Sequence, residues 1–151
     1  MVSLFRVNGG NNPTRIMGID LGHARIGIAL SDFSKILASP FSTVRHENDY
    51  ESALREIVKI AENESVEEIV VGLPTSLSAK NTIAREEASQ FIERLRKLTS
   101  IKVSQFDERF TSVIAGKKLR ETGHDARSMK GKIDAIAAVE ILQGYLDGRV
   151  D

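Results

Sequence analysis

The sequence predicts a mixed α/β domain in which a five-stranded sheet carries helices on both faces. Three observations predict it. Two short apolar runs near the start, Ile16–Leu21 and Arg25–Ser31, are joined by the hairpin-length linker Gly22-His23-Ala24. A third run, Ile36–Val44, follows a turn at Asp32-Phe33-Ser34-Lys35 and completes an antiparallel meander. Beyond Asn48, helical and strand patterns alternate, and strands reached through crossover helices run parallel to their neighbours.

Each element has its own signal. In Arg25–Ser31, Ile26, Ile28 and Leu30 alternate with Gly27, Ala29 and Ser31. Pro40 marks the third strand as an edge or the site of a bulge. Asn48 or Asp49 caps a helix whose apolar stripe is Tyr50, Ala53, Leu54, Ile57, Ile60 and Ala61. Glu68–Leu73 is a dense apolar run ending in Gly72-Leu73-Pro74, the pattern of a buried strand. A polar loop, Thr75–Asn81, leads to a second helix capped by Thr82, with Ala84, Ala88, Phe91, Ile92, Leu95 and Leu98 on one face. Ile101–Asp107 is the fifth strand. Thr111 or Ser112 caps a shorter helix that ends near Glu121, Thr122–Lys130 reads as a charged loop, and Ile133–Leu146 is the last helix. Residues 1–14 read as a flexible extension ahead of a single domain, 15–151.

Composition narrows the function classes. At 151 residues the chain can bury a real core, and its apolar and charged fractions, 41% and 28%, are those of an ordinary globular protein. The absence of cysteine excludes disulfides, thiolate metal sites and cysteine nucleophiles, and fits a reducing cytoplasm. No apolar run approaches the ~20 residues of a membrane span. The net charge of zero argues against strong non-specific nucleic-acid binding. Charge is nonetheless uneven. Arg109–Lys132 holds seven basic and two acidic residues, whereas Glu47–Glu68 holds eight acids and two bases. The first stretch could attract phosphates, although ordinary solvated helix faces would look the same.

Four acids stand out. Asp20 interrupts an apolar run, where a lone buried charge is costly unless paired or bound to a metal. Asp107 and Glu108 end the fifth strand, and Asp134 opens the last helix, one turn before Ala137 and Ala138. Hard oxygen ligands converging from separate elements suit Mg2+ or Mn2+ and metal-assisted phosphodiester hydrolysis. Plainer roles are open to each: a turn cap for Asp20, pairing of Asp107 or Glu108 with Arg109, and a dipole-favoured helix start for Asp134. Gly22, Arg25 and Gly27 could hold a phosphate or serve turn geometry. Thr111 and Ser112 could contact phosphate at a helix start or act as caps. Lys130 and Lys132, in the loop before Asp134, could neutralise substrate. His23, His46 and His124 lack metal-ligand spacing and read as surface or turn residues.

Four blocks, in order, resemble the YqgF/RuvX family. They are Gly18-Ile19-Asp20-Leu21-Gly22 with Arg25-Ile26-Gly27 and Ser31-Asp32; Val70-Val71-Gly72-Leu73-Pro74; Asp107-Glu108-Arg109-Phe110-Thr111-Ser112; and Asp134-Ala135-Ile136-Ala137-Ala138 with Ile141-Leu142-Gln143 and Tyr145-Leu146-Asp147. Members are described as Holliday junction resolvases and as pre-16S ribosomal RNA nucleases. The resemblance implies a ribonuclease H-like fold and a Mg2+- or Mn2+-dependent nuclease whose triad is Asp20, Glu108 and Asp134, with Asp107 as the alternative second ligand. Only one of Asp107 and Glu108 should point into the site, because neighbouring strand residues face opposite ways. The substrate-side candidates are Gly22, Arg25, Arg109, Thr111, Ser112, Lys130 and Lys132. Better-known resolvases of this fold take the second acid from the fourth strand. Here that strand has no acid near its Gly-Leu-Pro end, so the site must borrow from the fifth. The following loop usually carries Asn and Gly in the family, and here Thr75–Asn81 has no glycine.

The expected activity is endonucleolytic cleavage of structured nucleic acid, either precursor 16S ribosomal RNA or branched DNA. It would take place in the cytoplasm, in association with the ribosome or not, by a monomer or a homodimer. A non-catalytic RNA- or ribosome-associated factor that keeps the fold is the alternative. A nucleotide-binding module of the sugar-kinase/actin type shares the Ile-Asp-x-Gly opening but needs two such domains.

Overall fold

The computed structural model describes residues 12–22, 24–46, 49–74, 79–108 and 126–149, with 79–81 and 126–134 described by their backbone alone. The chain runs β1 (Arg15–Leu21), β2 (Arg25–Ser31), β3 (Ala38–Arg45), α1 (Tyr50–Asn63), β4 (Val66–Leu73), α2 (Ala79–Leu98), β5 (Lys102–Asp107) and α3 (Ala126–Gly148). The strands lie side by side as β3-β2-β1-β4-β5. β1 with β2 and β2 with β3 are antiparallel, and β1 with β4 and β4 with β5 are parallel, the sheet that the sequence predicts.

Strand alternation sorts the sheet into two faces. Met17, Ile19, Ile26, Ile28, Leu30, Ile69, Val71, Leu73 and Val103 point into a core with Leu54 and Ile57 of α1 and Phe91, Ile92 and Leu95 of α2. Ile16, Ala29, Ala38 and Val70 point the other way, against Ala138, Ile141, Leu142 and Leu146 of α3. Full burial of one such large aliphatic side chain contributes roughly 1.5–3 kcal/mol, so both layers are needed to hold the sheet.

α3 approaches unusually closely. A Cβ on Gly18 would meet Leu142 Cβ at 2.6 Å and the Ala138 carbonyl at 3.0 Å. Polar contacts fix the far end of the helix. Gln143 Oε1 accepts from the Ala38 amide (2.9 Å), and Tyr145 donates to Glu68 (2.6 Å), which also accepts from Ser104 (2.6 Å). Glu68, buried in β4, thus ties α3 to β4 and β5.

Several expectations hold in detail. Asp49 caps α1, its side chain accepting from Ser52. β3 is an edge strand with a bulge: Ile28 pairs with Ser42 and Ala29 with Pro40, so Phe41 is the extra residue. Others need correction. β3 begins at Ala38, not Ile36, because Asp32 Oδ1 accepts from the Ile36 and Leu37 amides and keeps them in the turn. Those two bonds also hold the Asp32 carboxyl below its usual range. α2 begins at Ala79 rather than after Thr82. α3 begins at Ala126, so Lys130 and Lys132 lie on the helix and not in a loop before it. Ala, Arg, Met and Lys are good helix formers there, and Gly131 alone does not break the run. His46 is not a surface residue: it is buried, 4% exposed, with its ring stacked on Tyr50 at 4.5 Å. His23, His124, the helix expected from Thr111 or Ser112, and Arg109 fall outside the described residues.

Candidate active site

The candidate site lies where β1, β4 and β5 end. Met17 and Ile19 face α1 and α2, so alternation turns Asp20 to the α3 face with Ile16 and Gly18. Its neighbours on both sides are glycines. Asp20 pairs with Gly27 on β2. On β4, Ile19 pairs with Val71, and one step further the register brings Gly72 beside Asp20. The floor around this carboxylate therefore carries no bulky side chain.

Glu108 approaches from the other side of Gly72. Gly72 pairs with Phe106, and Phe106 packs with the α3 core, so Glu108, two residues on, continues that face. Its Oε1 lies 3.3 Å from the place a Cβ on Gly72 would take. Asp107 pairs with Leu73, whose side chain belongs to the opposite core, and alternation sends it to the α1 and α2 side. Burial raises the Glu108 carboxyl above the usual carboxylate range, and the neighbouring charge of Asp107 raises it further.

Asp134 arrives on α3. Tyr145 meets Glu68, the β4 partner of Ile16, while Ala138 and Leu142 cover Gly18. Moving back along the helix is thus moving forward along β1. From the middle of the Gly18 contact to Asp134 is about 9 Å of helix, and from Gly18 to Asp20 about 7 Å of strand. The helix backbone at Asp134 is level with the Asp20 end of the sheet. Among the described residues no three acidic or histidine side chains stand together at metal-holding distance, and the Asp134 side chain is outside that description. The donor chemistry fits a hard cation: carboxylate oxygens facing one cleared floor, one of them with its charged form left under-compensated by burial.

The turn between β1 and β2 borders the site. The Gly22 amide donates to the Asp20 carbonyl at 3.1 Å, and a Cβ on Gly22 would stand 2.4 Å from the Arg25 carbonyl, so this position requires glycine. Arg25, two residues from Gly27 on β2, shares the Asp20 face. The structure thus gathers Asp20, Glu108, Gly22, Arg25 and the backbone of Asp134 at one end of the sheet. Arg109, Thr111 and Ser112 lie outside the described residues, as do the side chains of Lys130 and Lys132.

Two residues at this end escape a sequence reading. Arg45 is the Cα partner of Arg25 across β2 and β3. The Phe41 bulge shifts the register, and although Pro40 signals an edge or a bulge, it does not reveal which residue is extra. His46 looks isolated in the chain, yet its amide donates to the Ala24 carbonyl (3.2 Å) and its Nε2 lies 3.2 Å from the Gly22 carbonyl. A carbonyl only accepts, so Nε2 carries the proton.

The chain is similar to known proteins. Residues 14–148 match the family described as RuvX, Holliday junction resolvase. A protein of Anaeromyxobacter sp. (strain Fw109-5) that bears the name pre-16S rRNA nuclease is 42% identical over 135 residues, 89% of this chain and 98% of its own. One from Endomicrobium trichonymphae with the same name is 44% identical over 138 residues, 91% and 98% of the two chains. Among solved structures, T. thermophilus RuvC in complex with Holliday junction substrate superposes with a TM-score of 0.57 at 10% identity, over 88% of this chain and 93% of that one. The yeast mitochondrial Holliday junction resolvase superposes with a TM-score of 0.54 at 12% identity, over 92% and 80%. At such identities these two show likeness of fold alone.

Proposed function

The chain belongs to the RuvX family of Holliday junction resolvases, and we propose on that premise that it is a divalent-metal-dependent endonuclease acting on precursor 16S ribosomal RNA in the cytoplasm. The observation that carries the reading is the pairing of Asp20 and Glu108 on one face across Gly72, with the helix of Asp134 running to the same end. The names of relatives above 40% identity favour ribosomal RNA as the substrate.

In this reading Asp20, Glu108 and Asp134 hold Mg2+ or Mn2+. An ion held by these carboxylates would supply Lewis acidity for activating a water and for offsetting charge on the leaving oxygen. The protein's own contribution is positional. Gly72 makes room for Ile141 and for the Glu108 carboxylate, and Gly27 leaves the other flank of Asp20 without a side chain. Arg25 meets the phosphate, with Gly22 shaping the turn beside it, and Arg109, Thr111, Ser112, Lys130 and Lys132 extend the contact along the backbone of the substrate.

The test is a cleavage assay that offers a precursor 16S ribosomal RNA and a four-way DNA junction side by side, with and without Mn2+. Metal-dependent cutting of the RNA by the wild type and none by Asp20→Asn is the expected result. Cutting of the junction alone would reassign the substrate, and full activity in Asp20→Asn would remove the nuclease assignment of this site.

A further inference from the structure

We infer that Arg45 is a second phosphate-binding residue, forming with Arg25 a two-arginine clamp for one backbone phosphate of the nucleic acid. The inference rests on the nuclease reading for the identity of the ligand and on the sheet for its geometry.

Arg25 and Arg45 are direct partners across an antiparallel pair, so their Cα atoms are about 5 Å apart and their side chains leave the same face. That face is the one carrying Asp20. Gly27, two residues from Arg25, pairs with both Asp20 and Thr43, which stands two residues before Arg45. Two planar guanidinium groups side by side suit a phosphate, which accepts several N–H donors at once. Arg45 is exposed and reachable by a polymer.

The spacing of the two arginines is fixed by their neighbour. His46 grips the turn preceding Arg25 twice, through its amide to Ala24 and its ring to Gly22. Its ring is backed by Tyr50, which in turn meets Phe91 edge-on at 5.9 Å. The end of β3 therefore cannot drift from the β1–β2 turn, and the clamp is pre-set before substrate arrives.

The test measures binding of a precursor 16S ribosomal RNA fragment and of a four-way DNA junction, with Ca2+ replacing Mg2+ to prevent cutting, across a range of salt concentrations. Arg45→Gln is expected to weaken binding roughly five-fold near physiological salt and to flatten the log Kd against log salt slope by less than one whole contact, because Arg25 still holds the shared phosphate. Arg45→Lys should restore the affinity. Combining Arg25→Gln with Arg45→Gln should flatten the slope by about 0.7–0.9, the signature of one lost phosphate contact and not of two. Unchanged affinity in Arg45→Gln would overturn the clamp. So would a double variant that loses two contacts or none. A wild type that binds with these signatures yet never cuts would leave the clamp standing and overturn the nuclease reading. A wild type that binds neither probe would overturn both.

Discussion

Glu108 and Ile141 both crowd the place a Cβ on Gly72 would take. A Cβ at that glycine would stand 2.4 Å from Ile141 Cδ1 and 3.3 Å from Glu108 Oε1. One residue with no side chain thus seats the last helix and leaves room for a carboxylate. Gly72→Ala should cost stability on the scale of overpacking, roughly 1–3 kcal/mol, with partial relief as Ile141 changes rotamer. It should lower cleavage by more than its stability loss explains. Gly18→Ala should be worse for stability, because it meets the Ala138 backbone carbonyl and a Cβ, neither of which can rotate away. Chemical denaturation of both variants, beside single-turnover cleavage by the Gly72 variant, checks the contrast.

Asp20→Asn and Glu108→Gln should each reduce metal-dependent cleavage by roughly 100-fold or more while leaving the fold intact. They should differ in stability. Burial and Asp107 disfavour the charged form of Glu108, so removing that charge should stabilise the metal-free protein. The carboxylate is only half-buried, and screening limits the gain to a few tenths of a kcal/mol. A thermal melt without metal in which Glu108→Gln is less stable than wild type would contradict this account.

Glu68 is a buried charge with three neighbours: Ser104 and Tyr145 at 2.6 Å, and the Lys102 ammonium at 3.7 Å. Tyr145→Phe removes one charge-assisted bond and should cost about 1.5 kcal/mol, with the acid still served by the others. Glu68→Ala orphans two hydroxyls and should cost more. Urea midpoints of the two single variants and the double give the coupling between them.

Asp49 supplies the pH-dependent prediction. Hydrogen bonds from Ser52, first its hydroxyl and then its amide, hold the Asp49 carboxyl below the usual 3.8. A group depressed by folding contributes stability that is fully present above the unfolded value and is lost as pH falls through the folded one. The cap should therefore weaken only in strong acid. Asp49→Ala should lower Tm at neutral pH by a few degrees, and its deficit should shrink as wild type is acidified. Asp49→Asn should keep most of the neutral stability and lose the acid dependence.

Much of this was legible in the chain. The alternation of Arg25–Ser31 and the length of the Gly22–Ala24 linker prescribe a hairpin, and Pro40 announces the sheet edge. What stayed hidden depends on phase. Phe41 bulges out of β3, and without that shift Arg45 cannot be matched to Arg25. Asp107 and Glu108 are adjacent, and only the core positions of Val103 and Leu73 decide which one turns toward α3. His46 shows nothing in its sequence neighbourhood of the carbonyls it holds, which lie on a turn more than twenty residues earlier. The start of α3 is hidden because Gly123 and the charged residues after it imitate a loop.

α3 follows all five strands of the sheet, and it covers β1, β2 and β3 as well as β4. Under the proposed assignment this makes the order of synthesis a safeguard. A growing chain can pair its strands and bring Asp20 near Glu108 while still attached to a ribosome made of the same class of RNA that it would cut. Ile16, Ala29 and Val70 remain bare and Asp134 unplaced until the helix that carries it has emerged and docked. Under that assignment, cutting ability is withheld from every nascent intermediate in which α3 has not yet docked.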